Sequence, residues 1–243
     1  MNFAPQDLAA AGFYVVSAGF PLAPPGNILG QYALQMSDPV HSGRYPQQTR
    51  AVEAFIDAAR NDPNCYQHRV GVLGGSSGAS HATYAALDVS STSGVWPFWE
   101  KTQRPLCVVG LSGQYDFSDR DQDVIDEGNF VPNIENYTYT TVPLQQWQDS
   151  PIGLISAAAP QGFIPTYCIR ASDDPGSPKS NSDYFWYTMS QAGANPPTFF
   201  METVPSSSDH AFGLWGDPLD DGPIVNYTVR DRVIAFFRQY MYN

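Results

Sequence analysis

The sequence predicts a three-layer α/β domain, a mostly parallel sheet with helices on both faces. Three observations predict it. Short β-rich runs alternate with longer segments of helical periodicity, the order that a parallel sheet with covered faces requires. One such junction, Arg69 to His81, carries Gly74-x-Ser76-x-Gly78 between a strand-like run and a small-residue helix pattern. The chain's 243 residues, 42% of them hydrophobic, suit a single domain with a sizeable core, and no internal repeat or low-complexity segment interrupts it.

The elements follow in order. A helix is expected from about Pro46 to Arg60. Pro46 suits its first turn, Val52, Phe55, Ile56 and Ala59 share one face, and Asn61-Asp62-Pro63-Asn64 stops it. Arg69–Leu73 reads as a strand and the helix after Ser76 runs to about Leu87. Leu106–Leu111 is the next strand. Ser112–Ser156 departs from the alternation, being polar, aromatic and partly helical. Pro165–Arg170 reads as a buried strand, Ser182–Ala192 as a helix ending at Gly193, and Thr198–Val204 as a strand. A last helix, about Tyr227–Tyr240, places Val229, Val233, Phe236, Phe237 and Tyr240 on one face. The whole reads as one domain, 1–243, with an insertion at about 112–156.

The Gly-x-Ser-x-Gly junction is the pattern of a nucleophile turn. A serine there sits on a tight strand-to-helix bend with its hydroxyl turned away from the sheet, and Gly74 and Gly78 are expected to keep Cβ atoms out of the crowded turn. Reading Ser77 as the nucleophile gives the poorer match Gly75-x-Ser77-x-Ala79. Ser76 is therefore the candidate, and the backbone N–H of Ser77, opening the helix, is placed to donate to a developing oxyanion.

A serine needs a base to take its proton and a third group to hold that base. In this turn's context the chain order is serine, acid, histidine. Of His41, His68, His81 and His210, only the last two follow Ser76. His81 lies on the helix that leaves the turn and is carried away from the hydroxyl, so it is expected to be packed or on the helix surface. His210 lies in a polar loop after a late strand, where a rigid sheet presents a base. Ala171-Ser172-Asp173-Asp174-Pro175 follows the preceding strand with two carboxylates, either of which can orient His210. Asp174 is assigned to catalysis and Asp173 to the turn.

These segments together resemble the α/β-hydrolase superfamily, in particular the esterase branch that joins hormone-sensitive-lipase-like enzymes to bacterial carbohydrate-esterase-like ones. Leu8–Ser17 is similar to the helix-then-strand "LAxxGxxVVS" of that branch, Phe20-Pro21-Leu22-Ala23-Pro24 to "YRLAP", Leu111–Asp116 to "SGxYD", and Asp149-Ser150-Pro151 to "ASP". The segments at Ala171–Pro175 and Asp209–Phe212 match its acid and base motifs, and the spacing of the acid motif again selects Asp174. The resemblance covers almost the whole chain. It implies a carboxylic-ester hydrolase with Ser76 as nucleophile, His210 as base and Asp174 as its orienting acid, acting on short-chain acyl or acetylated-sugar esters without a cofactor. It also implies that the insertion at 112–156 caps the site, with Tyr115, Phe117, Phe130, Tyr137, Tyr139 and Trp147 either lining an acyl pocket or packing the cap. Amide or peptide cleavage of the prolyl-oligopeptidase-like type is the alternative reaction, and a catalytically impaired scaffold acting in binding is the alternative class. Removal of halide would need a carboxylate at position 76.

The chain also departs from the family. The His-Gly-Gly-Gly-type loop that supplies the second oxyanion donor is absent, a loss worth ~10²–10³ in turnover. Three N-terminal strands are missing from the pattern. The third would stand between a strand at Phe13–Ser17 and the one at Arg69–Leu73, so its absence predicts a gap of roughly 9–10 Å, or else direct pairing of those two strands. A fragment of a longer protein is the expectation. Ser80 stands where the family often has histidine, and the loop at Pro24–Tyr45 is longer and lies on the catalytic edge of the sheet, a plain surface loop in the first reading, with Tyr32 and His41 as substrate contacts in the other.

Composition narrows the partners. The net charge is −12, from 12 basic against 24 acidic residues, and only Lys101 and Lys179 are lysines. That balance disfavours nucleic acid and anionic membranes. Cys65, Cys107 and Cys168 lack metal-ligand spacing, and Cys107 and Cys168 sit in apolar runs as buried thiols. Asp116, Asp119, Asp121, Asp123, Asp126 and Glu127 form an acidic run without the glycine and glutamate spacing of a calcium loop, so a solvated insertion is expected and no metal. No apolar run reaches the ~18–20 residues of a membrane span. No leader is visible, which makes the cytoplasm the default location unless a leader is lost with the N-terminus. The sequons at Asn136 and Asn226 are expected to be fortuitous.

Overall fold

The computed structural model describes residues 4–20, 23, 43–66, 69–89, 104–121, 130–220 and 226–242. The expectations placed on Pro21, Leu22, most of the loop 24–45 with Tyr32 and His41, and on His68, Lys101, Asp123, Asp126 and Glu127 lie outside the described residues.

Helix α1 (Ala4–Ala10) is followed by an extended segment and then by α2 (Gln47–Arg60). Strand β1 (Gly71–Gly75) leads into α3 (Ser77–Leu87), and β2 (Cys107–Leu111) into a long excursion holding α4 (Phe130–Thr138), α5 (Pro143–Gln148) and the short α6 (Ile155–Ala158). Then come β3 (Thr166–Ala171), α7 (Lys179–Gln191), β4 (Phe199–Val204), a two-stranded ribbon of β5 (Pro218–Asp220) and β6 (Asn226–Thr228), and α8 (Val229–Met241). The final helix begins two residues later than its apolar spacing suggests. Thr228 forms a capping box with Asp231, and the residues before it pair in the antiparallel ribbon.

The main sheet has the order β1-β2-β3-β4, all parallel, with Gly74 opposite Gly110, Gly110 opposite Cys168, and Cys168 opposite Met201. Both faces are covered. Cys107, Val109 and Leu111 of β2 and Tyr167, Ile169 and Ala171 of β3 join Val229, Val233, Phe236 and Phe237 of α8 and Leu8 of α1 in one cluster. The alternate residues turn to the other face, where Val108 meets Ala82 and Ala86 of α3 and Cys168 meets Phe185 and Met189 of α7. This period of two places a helical layer on each side of the sheet. Burial pushes the thiols of Cys107 and Cys168 up to about 12, so both are packing groups.

The strand expected at Phe13–Ser17 does not form. The segment is extended, with Phe13 and Val15 packed on the core and Tyr14 and Val16 exposed, but it pairs with no strand, and β1 is the edge of the sheet among the described residues. Phe13 instead stacks on Tyr242, close to the C-terminus, at 5.5 Å, and meets Phe237 edge-on. A strand is a pairing and not a propensity. The Phe13 N–H donates instead to the carbonyl of Leu8 at 3.1 Å, a helix-end bond and not a ladder bond.

The aromatics of the insertion are packed. Tyr115 stacks on Phe185 at 4.4 Å, and Phe117, Phe130, Ile134 and Tyr137 form their own buried cluster against Tyr45. Trp147 packs beside Ile152 and Ile155, and Tyr139 lies under the Arg44 guanidinium. The acidic run is not uniformly solvated either. Asp116 is buried and its carboxylate accepts from the N–H and hydroxyl of Ser118, with burial pushing its pKa up. Asn136 is buried against Arg44, which takes the first sequon out of solvent. Among the described residues no helix is long and apolar enough to cross a membrane, and no group of three or more His, Cys, Asp or Glu side chains is arranged to hold a metal ion.

Candidate active site

The strand-to-helix junction after β1 has the strain its motif calls for. Ser76 lies at φ 54°, ψ −126°, a conformation that a non-glycine residue adopts only where its surroundings enforce it. Its N–H donates to the carbonyl of Leu111 at 2.9 Å, extending the β1–β2 ladder by one residue. Ser76 is also the N-cap of α3, yet its side chain makes no capping hydrogen bond, so the hydroxyl is not spent on the helix. Ser77 is the exposed first residue of α3, which fits a backbone donor and not a residue on the bend. Its N–H lies among the helix-opening amides that have no intrahelical acceptor.

The glycines act differently from the expectation. A Cβ on Gly74 would stand 2.1 Å from the Gly78 carbonyl oxygen, so Gly74 is required for the helix to cross so close to the strand. A Cβ on Gly78 would meet nothing within 4 Å. Gly78 contributes the backbone that crowds Gly74 and is not itself crowded. Gly75, which the motif leaves as a variable position, is a second close approach. A Cβ there would lie 2.9 Å from the Phe212 ring and 3.0 Å from Ala211 Cβ.

That contact brings the base loop to the serine. His210 precedes Ala211 and Phe212, and Ser76 follows Gly75, so the residues beside the serine and the histidine touch. Asp174 is in the same place. His210 Nδ1 lies 2.8 Å from Asp174 Oδ1 and 3.1 Å from Oδ2, across 36 residues of sequence. An ionised carboxylate only accepts, so Nδ1 carries the proton and Nε2 is the basic nitrogen of the neutral ring. The Asp174 side chain is 0% exposed and the His210 side chain 35%, which leaves the carboxylate dry and the imidazole reachable. Gly176 N–H donates to Asp174 Oδ1 at 2.8 Å, and a Cβ on Gly176 would stand 2.9 Å from the imidazole.

The neighbouring carboxylate makes different contacts. Asp173 is exposed, accepts from the Ser172 hydroxyl, and donates its N–H to the carbonyl of Ser207 in the base loop. His81 is distant in role. It is buried in α3, with Nε2 on Gln48 Oε1 at 2.9 Å and Nδ1 on Thr49 Oγ1 at 3.1 Å, and burial lowers its pKa to about 4. Ser80, one helical turn past Ser76, accepts from Gln114 N–H at 3.1 Å. Gly75, Gly176, Ser112 and Gln114 were not singled out for the site by sequence. Only their adjacency to its motifs hinted at them.

With this geometry in hand, comparison with known proteins identifies the fold. No family model matches the chain, and no curated protein matches it by sequence. Solved structures do. The chain superposes with a TM-score of 0.59 on an acetyl ester-xyloside bifunctional hydrolase from Caldicellulosiruptor lactoaceticus, at 18% identity over 93% of this chain and 86% of that one. It is similar to carboxyl esterase 2 of the mycorrhizal fungus Tuber melanosporum, with a TM-score of 0.59 and 15% identity over 82% of this chain and 64% of the other. A truncated carbohydrate esterase from gut microbiota gives a TM-score of 0.53 and 17% identity over 68% of this chain. This chain spans 61% of that protein's length. The chain therefore has the α/β-hydrolase fold.

Proposed function

We propose that the chain hydrolyses carboxylic esters through an acyl-enzyme on Ser76. The observation that carries this reading is the buried Asp174 bonded to His210 on a loop whose next two residues pack against Gly75. In the proposed reaction Ser76 Oγ attacks the acyl carbon as His210 Nε2 takes its proton. The tetrahedral oxyanion accepts a hydrogen bond from Ser77 N–H, and its collapse expels the alcohol, which receives the proton from Nε2. Water then attacks the acyl-enzyme, giving its proton to Nε2, and Ser76 recovers a proton as the carboxylic acid leaves. Asp174 holds the ring in the tautomer that both halves need.

Short acyl groups, including acetyl esters of sugars, are the proposed substrates. Packing of Tyr115, Phe117, Phe130 and Tyr137 into the interior supports a small acyl site, because it withdraws four aromatics from a larger one. The names of the similar structures agree with this substrate class. The segment 112–156 is proposed as the part that covers the site. The test is hydrolysis of p-nitrophenyl acetate and butyrate beside Ser76→Ala and beside an acyl p-nitroanilide. The reading expects acetate turnover that Ser76→Ala abolishes. Equal rates in the two proteins would overturn it, and faster anilide cleavage would replace it with a peptidase.

A further inference from the structure

The turn after β2, Ser112–Asp116, takes no part in the chemistry above, yet each loop of the proposed triad is tied to it. Ser112 is fully buried and held at φ 52°. Its N–H donates to the carbonyl of Ile169 in β3 at 2.8 Å, and its Oγ accepts from the N–H of Ala211, the residue after His210, at 2.9 Å. Ala211 is itself at φ 52°, so the bond holds a strained residue in place beside the base. Gly113 O accepts from the Ser177 hydroxyl at 3.1 Å. Gln114 Nε2 donates to the carbonyl of Gly176 at 3.0 Å, and Gly176 is the residue whose N–H bonds Asp174. Gln114 N–H donates to Ser80 Oγ, one helical turn past Ser76. Below these, Asn181 Oδ1 accepts from the N–H groups of Tyr115 and Asp116 and its amide donates to the Asp116 carbonyl, pinning the turn to α7.

We propose that Ser112 and Gln114 are the shared positioning residues of this site, Ser112 aiming the His210 loop and Gln114 the loop that carries Asp174. The proposal rests on the ester-hydrolase reading. β2 lies between β1 and β3, so the end of that inner strand is within reach of the loops that leave β1, β3 and β4. A buried hydroxyl and an amide there set the acid and base against one rigid reference. Without them each loop would relax separately, and a displacement of ~1 Å costs on the order of 10² in rate.

The test uses Ser112→Ala and Gln114→Ala in the full chain. Two readouts are taken, kcat and KM for p-nitrophenyl acetate, and the downfield proton resonance of His210 Nδ1–H. Ser112→Ala is expected to lower kcat by up to about 10²-fold with KM unchanged and to broaden that resonance by faster exchange. Gln114→Ala is expected to do the same to a smaller degree, and the double variant to lose less than the two singles combined, because both act on one hydrogen-bonded pair. A folded Ser112→Ala protein with unchanged kcat and an unchanged resonance would overturn the proposal. If Ser112→Ala does not fold, Gln114→Ala decides by the same two readouts. If the parent chain turns over no ester, the hydrolase reading fails by itself, and the His210 resonance in the variants still reports whether the turn positions the ring.

Discussion

His81 and His210 both stand among polar groups within hydrogen-bond distance, but their surroundings give the two imidazoles opposite chemistry. His81 is 3% exposed and lies in a directional chain. Gln48 Oε1 can only accept, so His81 Nε2 donates to it. Nδ1 therefore accepts from the Thr49 hydroxyl, and the Tyr137 hydroxyl donates to Thr49. The far end is closed by Gln48 Nε2 donating to Gly43 O at 2.6 Å. Both ring nitrogens are spent on neutral partners, and burial makes the charged form unfavourable. His210 spends Nδ1 on a carboxylate and stays a third exposed. In the proposed reaction what suits His210 to be the base is the carboxylate on Nδ1 and a partly exposed ring, not proximity in sequence to the nucleophile. His81 is five residues from Ser76 and His210 is far along the chain.

Five variants sharpen or break this contrast. Removing the hydroxyl with Ser76→Ala should lower kcat on the order of 10⁶-fold, and Asp174→Asn, which keeps shape but presents an amide to Nδ1, on the order of 10⁴-fold. Both are read as steady-state turnover of p-nitrophenyl acetate with the circular dichroism spectrum retained. If Asp174→Asn turned over like the parent, the contrast drawn from the carboxylate would collapse. Gly176→Ala should lower kcat by up to about 10²-fold, since its Cβ would displace the imidazole against which it stands. An unaffected kcat would mean that the loop yields without moving the base.

His81→Ala should leave kcat unchanged and lower the unfolding free energy by about 1–3 kcal/mol for each buried partner stranded on Gln48 and Thr49, measured by urea denaturation. Loss of kcat at constant stability would place His81 in the reaction and break the comparison. The pH dependence has the smallest effect and a definite sign. With the folded pKa lowered from 6.5 to about 4, the unfolded chain binds the proton first as pH falls. The His81 contribution is therefore constant above 6.5, declines as pH falls toward 4, and levels off below. The total decline is up to about 3 kcal/mol. His81→Gln should remove that slope from the difference between the two proteins' stability curves. A parallel pair of curves would mean that the buried ring charges without cost.

Much of this was legible in the sequence because it is local. The Gly74-x-Ser76 junction needs only a strand, a bend and a helix within a dozen residues. The helix over 46–60 needs only its apolar spacing, and the acid and base motifs follow their strands directly. Phe13–Ser17 shows the limit. Its alternation of inward and outward residues is a strand's, and its side chains do pack that way, but pairing depends on a second backbone that no local pattern supplies. The aromatics of the insertion show it again, since Tyr115 finds Phe185 in the helix that follows the next strand along the chain, and composition does not distinguish packing from lining.

By itself the sequence determined the layered α/β class, the identity of the strained serine, and which histidine and which loop of carboxylates stand at strand ends. Periodicity and turn chemistry act over a few residues and need no knowledge of the rest. Only the tertiary structure set Asp174 against His210, made Gly75 and Gly176 close approaches, and tied Ala211 to Ser112 across 99 residues. Those outcomes depend on where separate strands end relative to one another in a packed sheet. That relation is set by the summed burial of both faces and not by any single segment.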